Sequence, residues 1–363
     1  MQSALDAVHR AGIPGVFAEV RSAGQVWSGA SGVADVASGH PVSADMWHRA
    51  GSITKTFTAA AVLLQVEQGR ISLDTSIGQF LPHLVPGERG NKITVRMLLN
   101  HTSGLAEYFP RAFPSLGSFP ALLGMSPESI DDNRFRQFHA SELIEMGVSA
   151  APVGEPGGTP GVYSNTNYLL LGQLLQQLTG ITAEECITRD VIERAGLQRT
   201  KFPDDVRIQG PHSKMYEAFF GLAEPPRDYS VYNMSWVPTG AGLLSTVDDL
   251  NVFYSKLLAG TIVSPSSLAQ MKETVPVIAQ NGQTIEYGLG LHPTELPKCG
   301  LCWGHSGTVW GAETISLTRA DGRRQMSIAM NLARWNRLDS SGIPQPHAID
   351  EALTRFKQRS LCG

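Results

Sequence analysis

Both ends of the chain alternate apolar and polar residues in the manner of β-strands. Four segments show this alternation, and they form two pairs: residues 16–21 with 26–33, and residues 314–318 with 325–331. Ser22-Ala23-Gly24 separates the first pair, and Asp321-Gly322, a strong hairpin-turn sequence, separates the second. We therefore expect antiparallel sheet at both ends of the chain.

The middle of the chain has the spacing of helices. A long helical pattern covers residues 54–68 and ends at Gly69, as a helix C-cap would. A second helix is predicted after Asn165, where leucines recur on one face, and a third over residues 348–359.

These elements predict an α/β fold, an α+β sandwich in which helices flank an antiparallel sheet, with a mostly helical domain attached. We expect residues 1–73 together with 230–363 to form the sheet domain and residues 74–229 the helical domain. A catalytic cleft is expected between them. The loop of residues 107–131, rich in Pro, Phe and Ser, is expected to shape a hydrophobic part of that cleft.

The composition is that of a soluble globular protein. Of 363 residues, 42% are hydrophobic and 17% charged, and the net charge is −4, so no basic face for nucleic acid is expected. No apolar run is long enough for a membrane span. The first residues lack the pattern of a signal peptide, so the protein is either cytoplasmic or secreted without its leader. We expect a secreted protein, with a cytoplasmic one as the alternative. We expect a monomer.

Two of the four cysteines, Cys299 and Cys302, form a C-x-x-C sequence. No second pair completes a zinc set, so no metal site is predicted, and the sequence around them does not resemble the start of a thioredoxin helix. Cys362 could instead be bonded to Cys299, which would favour an oxidising compartment.

The first chemical motif is Ser52-x-x-Lys55. Residues i and i+3 share a helix face, so the Lys55 amine can reach the Ser52 hydroxyl and activate it as a nucleophile. A lysine acts as a base only if burial or nearby positive charge lowers its pKa. By itself the motif is more often a capping serine beside a solvated lysine.

Two later motifs change that balance. Tyr163-Ser164-Asn165 precedes the second helix, where a phenol could carry a proton and an amide could hold a substrate carbonyl. His305-Ser306-Gly307-Thr308 precedes a strand, where glycine permits close approach and hydroxyls could bind a carboxylate. Each is weak evidence without the other.

In this order, the three motifs resemble the S-x-x-K, S-D-N and K-T-G signature of serine β-lactamases and penicillin-binding proteins. The variant resembles a peptidase family, S12, of secreted Streptomyces D-alanyl-D-alanine carboxypeptidases, class C β-lactamases, D-amino-acid hydrolases and family VIII esterases. The Streptomyces carboxypeptidases are the most similar. The resemblance extends over nearly the whole chain and includes these further stretches: residues 98–105, 240–246 and 287–291.

The resemblance implies roles for nine residues and requires no cofactor. The implied catalytic residues are Ser52 as nucleophile, Lys55 as base, Tyr163 as proton carrier, and His305. The implied substrate-binding residues are Asn165, Trp236, Ser306, Gly307 and Thr308. The backbone N–H groups of Ser52 and Thr308 would stabilise the oxyanion. Lys55 and His305 are expected to lower the pKa of the Tyr163 phenol.

The resemblance also implies a disulfide between Cys299 and Cys362, with Cys186 and Cys302 left as buried thiols. One departure concerns the substrate. The carboxypeptidases carry an arginine that anchors a terminal carboxylate soon after the stretch at residues 287–291, whereas no arginine lies between Leu291 and Cys299 here. His292 could compensate in part if it were protonated.

We therefore expect a serine hydrolase that acts through an acyl-enzyme, and the favoured activity is that of a penicillin-binding D-alanyl-D-alanine carboxypeptidase. The alternative on the same scaffold is an esterase, β-lactamase or D-amino-acid amidase or aminopeptidase. A remote alternative is a non-catalytic receptor for a β-lactam or peptide. In each case the partner is a small molecule or a peptide.

Two other catalytic arrangements are not favoured. The nucleophile elbow of α/β-hydrolases needs G-x-S-x-G, and the stretch from Gly304 to Thr308 ends in threonine. His101 could belong to a Ser-His-Asp triad, but we expect it to be structural and to hold the loop beside the site.

Overall fold

The computed structural model describes residues 1–116, 122 and 124–362. Its largest sheet has seven antiparallel strands in the order β11-β12-β13-β14-β1-β2-β3. Their bounds are β1 Gly15–Ser22, β2 Gln25–Asp35, β3 His40–Pro41, β11 His292–Leu296, β12 Gly300–Val309, β13 Ala312–Arg319 and β14 Arg324–Met330. Both predicted hairpins are confirmed, and strands from the two ends of the chain meet where β1 pairs with β14.

Helices cover both faces of this sheet. Helix α1 (Gln2–Arg10) packs against α13 (Ala348–Cys362) on one face, and α11 (Val247–Leu258) packs against β1, β13 and β14. Because helices flank β1 on both sides, its first six residues are all buried and do not alternate. The predicted antiparallel sheet flanked by helices is confirmed.

Helix α2 (Thr54–Glu67) is the central helix of the molecule. Its residues from Thr54 to Gln65 are all buried, which is typical of a core helix rather than an amphipathic surface one. It ends just before Gly69, whose φ of +70° is the left-handed conformation that glycine adopts easily. The predicted helix and its end are confirmed.

The other elements are short, apart from the 15-residue helix α8. The remaining helices are α3 Gly87–Lys92, α4 Val95–Leu99, α5 Phe109–Ala112, α6 Glu128–Asn133, α7 Ala140–Val148, α8 Asn165–Thr179, α9 Ala183–Ile187, α10 Pro238–Ala241 and α12 Pro265–Met271. The remaining strands are β4 His48–Arg49, β5 Gly161–Val162, β6 Tyr216–Glu217, β7 Arg227–Asp228, β8 Leu244–Ser245, β9 Val275–Ile278, β10 Thr284–Tyr287 and β15 Leu332–Ala333. Of the predicted pocket loop, residues 117–121 and 123 lie outside the described residues.

The buried side chains of α2 and those of residues 74–229 form one continuous apolar cluster. Within this cluster α8 packs directly against α2. A second cluster lies between the large sheet and helices α1 and α13. The division into two domains with the boundaries given above stays a prediction. Among the helices described, none is both long and apolar enough to cross a membrane.

Candidate active site

Ser52 lies in a turn of 3₁₀ helix, Gly51–Ile53, that leads directly into α2. Gly51 has a φ of +57°, and the Thr54 hydroxyl donates a hydrogen bond to its carbonyl at 2.8 Å. The turn leaves Ser52 only half-buried although its neighbours are enclosed. Its Oγ lies 3.2 Å from Lys55 Nζ, so the predicted shared face brings the two groups into contact.

Lys55 is fully buried, and its Nζ has three oxygen neighbours. Asn165 Oδ1 lies at 2.6 Å and the Gly240 carbonyl at 2.9 Å, besides Ser52 Oγ. Burial lowers the pKa of Lys55 to about 7, although the Glu107 carboxylate acts in the opposite direction. A neutral amine has two N–H donors and one lone pair. Since amide oxygens only accept, they take both N–H groups, and the lone pair is left for the Ser52 hydroxyl.

Tyr163 lies above the same amine, with Lys55 Nζ 4.9 Å from the centre of its ring. Its pKa is raised by burial, and a hydrogen bond with Ser52 acts in the opposite direction. The prediction that Lys55 lowers this pKa is therefore wrong. The reason is that burial penalises the phenolate more than the hydrogen bond with Ser52 stabilises it, and the Glu107 carboxylate raises the pKa further.

His101 supports Tyr163 from below. The two rings stack with centroids 4.2 Å apart. His101 Nδ1 accepts hydrogen bonds from the backbone N–H of Ser164 at 3.2 Å and from Asn167 Nδ2 at 3.1 Å. Burial lowers its pKa well below the usual range, so the ring is neutral. These contacts are those of a structural residue that positions the loop, as we expected.

Asn165 joins Lys55 to a residue that the sequence analysis missed, Glu107. Asn165 Oδ1 accepts from Lys55, while its Nδ2 and its backbone N–H each donate to Glu107 Oε2 at 2.8 Å. The other oxygen of Glu107 accepts from the backbone N–H groups of Tyr108 and Phe109. The described hydrogen bonds use one Nδ2 hydrogen of Asn165, and its predicted role in binding a substrate carbonyl stays a prediction.

Glu107 is a half-buried residue whose pKa is raised by burial, while its hydrogen bonds with Asn165 act in the opposite direction. One signal could have revealed it. It is the single charged residue in the apolar stretch from Leu105 to Phe109, directly after the His101-Thr102-Ser103-Gly104 sequence. An isolated carboxylate in such surroundings is a candidate functional group.

The opposite wall of the site is the free edge of β12. Strand β11 pairs with β12 only as far as Gly304, so the next residues of β12 have a partner on one side alone. Ser306 and Thr308 are exposed there, whereas Gly307 is buried. A Cβ on Gly307 would lie 2.0 Å from the Ala50 carbonyl and 2.7 Å from the backbone nitrogen of Ser52. Only glycine permits this close approach.

The hairpin between β12 and β13 determines where the Thr308 N–H points. Val309 and Ala312 pair across the two-residue loop Trp310-Gly311 and therefore form a hydrogen-bonded pair. Thr308 is one residue further along, so its N–H points away from β13. That nitrogen lies 2.7 Å from where a Cβ on Gly51 would be. The Thr308 N–H thus lies beside the turn that holds Ser52, and an oxyanion hole formed by the Ser52 and Thr308 N–H groups stays a prediction.

His305 differs from its predicted catalytic position. Its Nε2 accepts a hydrogen bond from the Tyr287 hydroxyl at 2.9 Å, and its Nδ1 donates to the Ser306 carbonyl. Burial lowers its pKa well below the usual range, so it is neutral and does not lower the pKa of Tyr163 by charge. Its described hydrogen bonds do not reach Ser52, Lys55 or Tyr163. The Tyr287 ring, which hydrogen-bonds to His305, lies 5.9 Å from that of Tyr163, and a catalytic role for His305 stays a prediction.

His292 packs against His305 with ring centroids 5.0 Å apart. Its pKa is lowered by burial. The idea that a protonated His292 replaces the missing arginine is therefore not supported, because a neutral imidazole does not anchor a carboxylate by charge.

Trp236 belongs to an aromatic cluster beside the site. It is 4% exposed, stacks on Trp310 with centroids 4.9 Å apart, and meets Phe109 and Phe113 edge-on. Trp310 follows Thr308 by two residues, and Phe109 follows Glu107 by two. The cluster therefore lies next to both walls of the site, and the substrate-binding role of Trp236 stays a prediction.

The disulfide is present as predicted. Cys299 and Cys362 are bonded, with Cα atoms 4.7 Å apart, and they join the loop before β12 to the end of α13. Cys186 and Cys302 are free and buried, as expected. Burial raises the pKa of Cys302 to about 11, so this thiol is not reactive near neutral pH.

Comparison with known proteins agrees with this geometry. A family described as Beta-lactamase matches residues 3–350. Penicillin-binding protein 4* of Bacillus subtilis (strain 168) is 26% identical over 83% of this chain and 64% of its own length. A D-aminopeptidase of Gluconobacter oxydans (strain 621H) is 27% identical over 73% of the chain and 46% of its own length. The chain thus spans about half to two thirds of these relatives.

Among solved structures, a D-stereospecific amidohydrolase from Streptomyces sp. superposes with a TM-score of 0.81. It is 30% identical to this chain, and the match covers 97% of this chain and 96% of that one. The family match, the order of the motifs and the folded contacts of Ser52 and Lys55 lead to one conclusion: this chain belongs to the β-lactamase family of serine hydrolases.

Proposed function

We propose that this protein is an amidohydrolase that forms an acyl-enzyme at Ser52 and acts on amides or peptides whose acyl residue is a D-amino acid with a free amino group. The observation that carries this proposal is the Glu107 carboxylate, held beside Asn165 on the acyl side of the site. A negative charge in an apolar wall favours a cationic group such as an α-ammonium. Similarity to a D-stereospecific amidohydrolase and to a D-aminopeptidase supports the D-amino acid.

In the first half of the proposed reaction, Ser52 Oγ attacks the amide carbon and its proton moves to Lys55 Nζ. The backbone N–H groups of Ser52 and Thr308 stabilise the oxyanion. When the C–N bond breaks, the nitrogen takes the Tyr163 proton, and Lys55 returns its proton to the phenolate. Water then attacks the ester, its proton passes to the Tyr163–Lys55 pair, and Ser52 leaves as the hydroxyl.

A carboxypeptidase is the second candidate, because the exposed hydroxyls of Ser306 and Thr308 could bind a terminal carboxylate. The similarity to a penicillin-binding protein favours the same reading. Against it, no arginine lies between Leu291 and Cys299, and His292 is neutral. A primary amide releases ammonia, which has no carboxylate, so its hydrolysis needs no such anchor.

A substrate panel tests the choice. We expect D-phenylalanine amide to be hydrolysed at least about tenfold faster than the L-form, with p-nitrophenyl acetate also turned over and all activity lost in Ser52→Ala. Faster release of D-alanine from an acyl-D-Ala-D-Ala peptide would favour the carboxypeptidase. Stoichiometric labelling by a β-lactam without turnover of any substrate would favour the receptor.

The role of Glu107 has its own test. Glu107→Gln keeps the shape but removes the charge, so KM for D-phenylalanine amide should rise about tenfold. N-acetyl-D-phenylalanine amide has no ammonium and serves as the matched substrate, for which KM should stay within about twofold. Equal losses on both substrates would show that Glu107 only positions Asn165, and would overturn amine recognition.

Secretion is a further part of the proposal, supported by the Cys299–Cys362 bond, since such bonds persist in oxidising compartments. Mass spectrometry of the protein from its native source under non-reducing conditions tests it. Recovery of both cysteines as thiols would contradict it.

A further inference from the structure

The Trp310-Gly311 turn that ends β12 lies against a buried ion pair. Glu217 is fully buried, and its Oε2 accepts hydrogen bonds from the Gly311 N–H at 2.9 Å and from Arg334 at 2.6 Å. Its other oxygen accepts from the backbone N–H of Phe219. A carboxylate in the interior is costly unless it is paired and hydrogen-bonded, and these contacts of Glu217 oppose the rise in its pKa that burial causes.

Arg334 reaches the same turn from the other side. Its guanidinium carbon lies 5.0 Å from the centre of the Trp310 ring, a cation–π contact, while its NH1 binds Glu217. Strand β15 pairs with β6, which makes Arg334, the residue after β15, a neighbour of Glu217, the last residue of β6. The ion pair therefore contacts both residues of the turn, Glu217 through a backbone hydrogen bond and Arg334 through the indole.

The turn is also packed tightly against the backbone of β6. Gly311 has a φ of +72°, and a Cβ there would lie 2.5 Å from the carbonyl group of Met215. The turn has little room to move towards β6, and the Glu217 hydrogen bond prevents it from moving away. Its position is fixed in both directions.

This position matters because Thr308 lies only two residues before Trp310. The N–H of Thr308 points to the free edge of β12 because of the hairpin register that the turn sets. In addition, the Trp310 ring stacks on Trp236. A shift of the turn would therefore displace an oxyanion donor, and such donors act only within a narrow range of distances.

We propose that Glu217 and Arg334 are positioning residues for catalysis: their buried pair clamps the Trp310-Gly311 turn and thereby holds the Thr308 N–H against Ser52. This inference rests on the proposed acyl-enzyme at Ser52. Neither side chain contacts Ser52, Lys55 or Tyr163 among the described hydrogen bonds, so both act through the backbone of the turn.

Two variants test the clamp by different routes. Glu217→Gln removes the charge at constant shape, and Gly311→Ala forces the turn away from Met215 without touching the ion pair. Each should lower kcat for p-nitrophenyl acetate about tenfold or more, with KM within about twofold, because an oxyanion donor acts on the transition state rather than on the bound substrate. Inhibition by phenylboronic acid, whose tetrahedral adduct with Ser52 places an oxygen near the same donors, should weaken by a similar factor.

Two matched controls separate this effect from general destabilisation. Glu224→Gln breaks an exposed ion pair with Arg337, close to Arg334 in the chain. Gly322→Ala introduces the same backbone strain as Gly311→Ala, at a φ of +69°, in a turn where a Cβ meets no atom within 4 Å. Both should keep the parental kcat and boronate affinity, measured at a temperature where melting curves show every variant folded.

The outcomes are distinguishable from a failure of the proposed function. Full activity in Ser52→Ala would refute the acyl-enzyme itself. If Ser52 is required but the folded Glu217→Gln and Gly311→Ala proteins keep both kcat and boronate affinity, the clamp is refuted. Should Glu217→Gln fail to fold, Arg334→Gln, which removes the other half of the pair, is measured in its place, and a folded Arg334→Gln protein with the parental kcat and boronate affinity refutes the clamp.

Discussion

The site has a helical wall, formed by Ser52 and Lys55, and a strand wall, formed by Ser306 to Thr308 at the edge of β12. Different features of the fold determine the geometry of each wall. Ser52 and Lys55 lie on one helical segment, so their contact follows from local backbone geometry. The Thr308 N–H lies beside the Gly51–Ile53 turn only because a strand edge, a two-residue hairpin loop and the close approach of Gly307 to Ala50 coincide. The first wall depends on which side chains are present, whereas the second depends on where the backbone lies. Substitutions should therefore damage the two walls in different ways.

Removing either side chain of the helical wall should have the largest effect. In Ser52→Ala and Lys55→Met, kcat should fall by about 10³-fold or more, since the nucleophile and its base act as a unit. The double variant should be no worse than about threefold below the poorer single one. Additive losses in steady-state kinetics would show that the two residues act independently and would contradict the pairing.

The strand wall should respond to backbone displacement. Gly307→Ala places a Cβ 2.0 Å from the Ala50 carbonyl, so β12 must move and kcat should fall by about 10²-fold. Gly154→Ala is the matched control, because a Cβ there meets no atom within 4 Å. If Gly307→Ala retains the kcat of the control, the close approach of β12 to Ser52 is not required for catalysis.

The pH dependence reports the charge state of the helical wall. Burial lowers the pKa of Lys55 to about 7, and the amine is a base only when it is unprotonated, so kcat/KM should rise as pH increases through about 7. The Glu107 carboxylate favours the protonated amine. Glu107→Gln should therefore shift this rise to lower pH, by about 0.5 to 1 unit. If the pH profile of kcat/KM for Glu107→Gln is unchanged or shifts to higher pH, the charge of Glu107 does not act on Lys55.

The smallest effect on activity is expected far from both walls. Cys362→Ser opens a disulfide that closes a loop of sequence separation 63, so the free energy of unfolding should fall by about 2–4 kcal/mol in denaturant titrations. Because the bond joins β12 to α13 at the end remote from Thr308, kcat should stay within about twofold. A large loss of kcat would mean that the position of β12 depends on this bond.

The contrast between local geometry and contacts from distant parts of the chain also separates the parts of the fold that the sequence predicted from those that it did not. Both hairpins, α2 and the helix after Asn165 follow from alternation, helical spacing and turn residues, and all are found within a few residues of their predicted bounds. The uniform burial of α2 and β1 could not be predicted from the sequence, because it depends on elements that pack against them from elsewhere in the chain.

The sequence by itself determined that Ser52 and Lys55 share a helix face, because residues three positions apart on a helix are neighbours. Only the tertiary structure decided that Glu107 joins the site, that His305 turns to Tyr287, and that the Tyr163 phenol has a raised pKa. These outcomes depend on contacts such as that of Lys55 with Asn165, 110 residues apart, and on burial, which lowers the pKa of an amine and raises that of a phenol. A local pattern of residues shows neither which distant residues come into contact nor which side chains become buried.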